Sequence, residues 1–155
     1  MPATWGAKPA KDFMIIRKYF GSLFLILTLL GCDDNTAAPF IPNVLVNEQI
    51  NLTNIQYNAL RQVNGYVYLP QAGVRGIIVM RADGNRYRAI ERNCTYLPED
   101  KTCSTIEADA SGLFLIDPCC KSQFDLTGQV TGGPATYPLR QYATSLQGNF
   151  LYIRN

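Results

Sequence analysis

The chain contains no histidine. That absence removes the Ser–His and Cys–His dyads of nucleophilic enzymes, every imidazole-ligated metal centre, and the side chain best suited to proton transfer near neutral pH. Charge of one sign is also scarce: 14 Lys and Arg face 12 Asp and Glu, a net +2, which gives no reason to expect a nucleic-acid partner. Long apolar runs are missing outside one N-terminal stretch from Leu23 to Leu30, which is shorter than a membrane span needs. Asp109, Asp117 and Asp125 share neither the spacing of a calcium loop nor a pattern that marks a glycosidase pair. No catalytic residue is nominated, and an enzymatic role is not expected.

The N-terminus carries the first positive signal. Residues 14–32 read MIIRKYFGSLFLILTLLGC, in which Arg17 and Lys18 precede the apolar stretch and Gly31 precedes Cys32. This is the layout of a secretory signal, and its Leu-Leu-Gly-Cys ending resembles a bacterial lipobox, where the cysteine is lipidated. The expected organisation is a gene-start artefact over 1–13, a lipoprotein signal peptide over 14–31, lipidation at Cys32, a polar tether over 32–43, and one domain over 44–155. The segment 1–31 carries Lys8, Lys11, Arg17, Lys18 and Asp12, so its removal turns the net +2 into −1. The expected location is the bacterial cell envelope, with the chain held to a membrane by lipid on the periplasmic or surface face.

Beyond the tether, short β-prone runs alternate with turn signals. Val63 to Leu69 alternates, and Gly76 to Met80 (GIIVM) suits a strand buried on both faces. Asp83-Gly84-Asn85 leads into Arg86 to Ile90 as a hairpin, and Gln141 to Leu146 with Phe150 to Ile153 forms another. The single helical candidate is Asn54 to Leu60. Regularly spaced short strands point to an all-β sandwich or barrel. Arg81, Arg86, Arg88 and Arg92, interleaved with Tyr87, Asp83 and Glu91, are expected to form a solvated strand face.

Four cysteines follow Cys32: Cys94, Cys103, Cys119 and Cys120. An even number in an exported domain favours disulfides, and four cysteines allow three pairings. Two stretches hold most of them, RNCTYL at 92–97 and DPCCKSQFD at 117–125. Together these resemble the two cluster-binding boxes of the Rieske iron–sulfur family, Cys-Thr-His-Leu-Gly and Cys-Pro-Cys-His-Gly-Ser-x-Phe-Asp. Gly128, Gly133-Pro134-Ala135 and Pro138-Leu139 resemble that family's proline-containing covering loop. The resemblance spans about residues 63–153 and implies an all-β, Rieske-like antiparallel β-sandwich in which two box loops present the site.

It also implies a damaged site. A Rieske [2Fe-2S] centre takes two thiolates on one iron and two imidazoles on the other. Carried over, those ligand positions fall on Cys94, Tyr96, Asp117 and Cys120, so one of four ligands is retained. Lys121 stands where the family has a glycine, which puts the tight turn there in doubt. Cys119 falls on the family's non-ligand cysteine, for which Cys103 is the available partner; Cys94–Cys120 would then join the two boxes. No cofactor or metal is expected. The function implied is that of a binding or structural envelope protein with a vestigial cluster site and an unidentified protein or small-molecule partner. Two alternatives stand beside it: electron transfer through a non-standard [2Fe-2S] cluster, and thiol–disulfide chemistry at the Cys119-Cys120 pair.

Overall fold

The computed structural model describes residues 38–103 and 105–155; the expectations for 1–13, for the signal 14–31 and for Cys32 lie outside them. Ile77 to Met80 of the run GIIVM form the first half of strand β3 (Ile77–Asp83). Its alternation is apolar on both sides. Ile77 and Val79 enter one core, Ile78 and Met80 enter a second, and none of the four is more than 2% exposed. A strand of that kind must be covered on both faces. It pairs antiparallel with β2 (Tyr66–Leu69) on one side and β4 (Arg86–Glu91) on the other.

The β3–β4 hairpin turns at the Asp-Gly-Asn signal, where Gly84 takes a φ of 45° and the register shifts between Arg81 and Asp83. The C-terminal hairpin is also present as β9 (Gln141–Gln147) and β10 (Phe150–Arg154). β9 joins β4, and β1 (Asn47–Asn51) adds to the far side of β10. The larger sheet therefore runs β1-β10-β9-β4-β3-β2. β1 has no counterpart in the sequence reading, because NEQIN places only Ile50 in the core and shows no alternation. The helical candidate is a 3₁₀ helix, Ile55–Arg61, held by buried Leu60.

Four short strands form the second sheet: β5 (Glu107–Ala108), β6 (Leu115–Ile116), β7 (Gln123–Phe124) and β8 (Val130–Gly132), in that order. Leu115 and Phe124 are fully buried and share the second core with Ile78, Met80, Ile90 and Cys94. Side chains of this size each contribute roughly 1.5–3 kcal/mol on burial, which gives strands of two residues a reason to stay in place. The fold is all-β and antiparallel, as expected. Every paired strand among the described residues is antiparallel, and no described helix is long and apolar enough to cross a membrane.

The arginine-rich hairpin does not present a free basic face. Arg81 donates to the Gly84 and Arg61 carbonyls, Arg86 pairs with Asp83, and Arg92 lies 4.3 Å from the Tyr68 ring centroid while donating to the Ile106 carbonyl. Glu91 departs from the solvated-face reading. It is fully buried, and its carboxylate accepts the backbone N–H groups of Val74, Arg75 and Asn93 and the Tyr142 hydroxyl.

Candidate functional site

The two box loops converge at one edge of the second core. The first leaves the end of β4 through Arg92 and Asn93, where Asn93 bridges Thr105, and delivers Cys94 into the interior at 0% exposure. The second leaves β6 at Asp117, also 0% exposed, and returns into β7. Between them the backbone closes on itself. Asp117 N–H donates to the Ser122 carbonyl and Lys121 N–H donates to the Asp117 carbonyl, each at 2.9 Å. Lys121 takes the left-handed conformation a glycine would favour, with φ 63°. The doubt about that turn is therefore resolved: the turn forms, at the modest cost a non-glycine residue carries there.

The Gly-Pro-Ala segment seals the second box. Gly133 has φ 85°, and a Cβ at that position would stand 2.5 Å from the Cα of Ser122. Fully buried Ser122 accepts the Ala135 N–H at 3.1 Å, and its hydroxyl lies 3.0 Å from the Cys120 sulfur. Thr95 of the first box donates to the Tyr137 carbonyl at 2.6 Å. One covering segment thus ties both boxes together, as the resemblance implied.

The cysteines divide into two pairs. Cys103 and Cys119 form a disulfide with Cα atoms 5.7 Å apart. Adjacent residues in this loop diverge, so Cys120 turns the other way, toward Cys94. The expected Cys94–Cys120 bridge is not formed: both are free thiols with sulfurs 3.9 Å apart, against the ~2.05 Å of an S–S bond. Each sulfur has other partners. The Cys94 sulfur accepts the Tyr96 N–H, and the Cys120 sulfur faces the Ser122 hydroxyl and backbone N–H. The vicinal pair Cys119-Cys120 does not act as one unit, because one member is already bridged elsewhere.

Asp117 sits between the pairs. Its Oδ1 accepts the N–H groups of Cys119 at 2.8 Å and Cys120 at 3.3 Å, while its Oδ2 is buried with no hydrogen-bond partner among the described residues. One carboxylate oxygen lies within 4.8 Å of the sulfurs of both Cys94 and Cys120. Burial pushes the Cys94 thiol up to about 12, with Cys120 and Asp117 alongside adding to the shift and the Tyr96 N–H opposing it. Tyr96, two residues after Cys94, is 37% exposed.

These residues do not fit a Rieske centre. The positions that the resemblance gives to the four donors hold a thiol, a phenol, a carboxylate and a thiol, and no imidazole exists in the chain. An all-thiolate two-iron cluster fares no better, since it needs four thiolates and the Cys103–Cys119 bridge withdraws two.

Two supporting residues were not legible beforehand. Glu91 holds the backbone of Val74 and Arg75, and Arg75 in turn donates to the carbonyls of Asp100 and Cys103, fixing the loop that carries Cys103. The available signal was Gly73-Val74-Arg75-Gly76. Gly73 has φ 72°, and a Cβ there would come within 2.4 Å of the Glu91 carboxylate.

Neither a protein-family model nor a curated protein sequence matches the chain. Solved structures do. The chain is similar to the cyanobacterial plasma membrane Rieske protein PetC3 from Synechocystis PCC 6803, with a TM-score of 0.51 and 20% sequence identity over 73% of this chain and 100% of that one. A chain of a hyperthermophilic respiratory Complex III gives a TM-score of 0.49 and 18% identity, covering 90% of this chain and 95% of that one. At 20% identity the Synechocystis likeness speaks for the backbone and leaves the chemistry to the side chains described above. The domain has a Rieske-like fold.

Proposed function

We propose that this protein is a lipid-anchored, Rieske-like component of the bacterial cell envelope whose electron-transfer centre has been lost, leaving a binding or structural role. The observation that carries the reading is the donor set. Where the two boxes meet stand Cys94, Asp117 and Cys120, with two further cysteines committed to a disulfide and no histidine anywhere in the chain. The fold is kept by other means: the Ser122–Ala135 and Thr95–Tyr137 hydrogen bonds and the Cys103–Cys119 bridge hold the box loops without iron. A bridge closing a loop of this length contributes ~3 kcal/mol in the chain-entropy account. The plasma-membrane setting of the Synechocystis neighbour agrees with membrane attachment, and the lipobox ending at Cys32 supplies a means.

One observation favours the rival reading, electron transfer through a non-standard [2Fe-2S] cluster: three metal-ligating side chains still converge inside a Rieske-like fold. The experiment that separates the two uses the full chain, expressed in an iron-replete host with cluster assembly intact and extracted from membranes without air. The expected protein is colourless, holds no stoichiometric iron or acid-labile sulfide, and carries acyl chains on Cys32 by mass spectrometry. Two irons and two sulfides per chain, with visible charge-transfer bands, would overturn the lost-centre reading. A water-soluble product lacking acylated Cys32 would overturn the anchor.

A further inference from the structure

We propose that Cys94, Asp117 and Cys120 form a mononuclear site for a thiophilic divalent cation of the zinc class, using two thiolate sulfurs and one carboxylate oxygen. The proposal rests on the lost-centre reading, because a two-iron cluster would occupy the same donors.

The spacing of the sulfurs is the first support. Zinc holds sulfur at ~2.3 Å in tetrahedral geometry, which places two sulfurs on one ion about 3.8 Å apart. The Cys94 and Cys120 sulfurs are 3.9 Å apart. That separation is almost twice a disulfide bond and matches two ligands of one ion. The third donor is close as well. A carboxylate oxygen of Asp117 lies within 4.8 Å of both sulfurs, where zinc–oxygen and zinc–sulfur bonds would call for about 3.6 Å, so an approach of at most about 1.2 Å completes the triad.

The second support is independent of spacing. Asp117 is fully buried, its Oδ1 is satisfied by two backbone N–H groups, and its Oδ2 accepts no hydrogen bond of normal length among the described residues, the Cys94 thiol being its neighbour. A buried carboxylate oxygen without a hydrogen-bond donor is costly, more so than a neutral group, and a cation at this point would satisfy it. The loop is also preorganised: the Cys103–Cys119 bridge holds the residue before Cys120, and the Ser122 hydroxyl meets the Cys120 sulfur itself. Two sulfurs with one oxygen select zinc-class ions over magnesium or calcium, which take oxygen ligands. Three protein donors leave a fourth position for water.

Binding involves no electron transfer. The cation displaces one proton from each thiol, binds both as thiolates beside the existing carboxylate, and releases two protons to solvent.

The test uses the full-length protein, purified without air, its free thiols counted, then titrated with Zn²⁺ alone and in parallel with Co²⁺ as a spectroscopic probe. Expected are one equivalent of zinc per chain, proton release on binding, and cobalt bands of tetrahedral thiolate ligation. Cys120→Ala, at a partly exposed position, should abolish the cobalt spectrum while circular dichroism and the mapped Cys103–Cys119 bridge stay unchanged. Asp117→Asn keeps an acceptor for the two N–H groups and should weaken zinc binding by ~100-fold or more, since even indirect supports of metal ligands are worth 10–100-fold. Reduced protein that takes up no zinc overturns the proposal, and so does binding unaltered in both variants. Stoichiometric iron with sulfide overturns this proposal and the lost-centre reading together; iron-free protein that also refuses zinc overturns this proposal alone.

Discussion

Glu91 is a sensitive position outside the two boxes. Its carboxylate is fully buried and receives four donors: Val74 N–H at 2.8 Å, Arg75 N–H at 2.9 Å, Asn93 N–H at 3.1 Å and the Tyr142 hydroxyl at 2.6 Å. Glu91→Ala leaves all four without their acceptor, Asn93 and Tyr142 in the interior and Val74 and Arg75 half-buried. At ~1 kcal/mol or more for each stranded donor, the expected loss is about 4 kcal/mol, in the range measured when one side of a buried charged network is removed. A domain of this size holds ~5–15 kcal/mol in total, so the variant should be marginal. Urea denaturation followed by circular dichroism measures the effect. With a slope of ~2 kcal/mol/M, the midpoint should fall by about 2 M. Tyr142→Phe deletes one charge-assisted hydrogen bond and should cost less, about 1.5–3 kcal/mol. The consequence reaches the box region, because Arg75 loses its backbone anchor and with it the grip on the carbonyls of Asp100 and Cys103. A Glu91→Ala loss below about 1 kcal/mol at unchanged slope would refute the buried-network account.

Three further outcomes are expected. Gly133→Ala introduces a Cβ 2.5 Å from the Ser122 backbone at a φ of 85°, so it should cost about 2–3 kcal/mol in the same denaturation assay; a loss within 0.5 kcal/mol would show that the covering segment yields freely. Native protein exposed to iodoacetamide should be alkylated at partly exposed Cys120 well before fully buried Cys94, as read by peptide mass spectrometry; equal rates would contradict the burial. Alkali should destabilise the fold. Below pH 9.0 the Cys94 thiol is protonated in folded and unfolded chains alike. Between there and about 12 only the unfolded chain loses the proton, so stability falls as pH rises. Tyr142, raised by burial and then by Glu91, acts in the same direction at higher pH. Stability that stays flat from pH 8 to 11 would count against both.

The sequence alone carried the all-β class, because GIIVM, the Asp-Gly-Asn turn and the Gln141–Ile153 pair are local signals of alternation and turn chemistry. It also carried the loss of the imidazole ligands, since composition is independent of folding, and the resemblance to two boxes and a covering loop placed Cys94, Asp117 and Cys120 on one site. Strand β1 stayed hidden because pairing with β10, rather than its own pattern, makes it a strand.

Tertiary structure decided what the side chains do. Four cysteines admit three pairings on paper, and only the path of the 117–122 turn sends Cys119 to Cys103 and Cys120 to Cys94. Whether the second pair bonds is a matter of a couple of ångströms, which no spacing in sequence encodes. Glu91 looked like one charge among several on a solvated strand. Its burial follows from β4 lying inside the sheet, between β3 and β9, where Ala89 enters the first core and Ile90 the second. A side chain's direction is local and alternates, whereas what meets it depends on strands and loops distant in sequence. For that reason an acid beside arginines became the anchor of a backbone turn, and Asp117 in place of a family cysteine became a buried carboxylate facing two thiols.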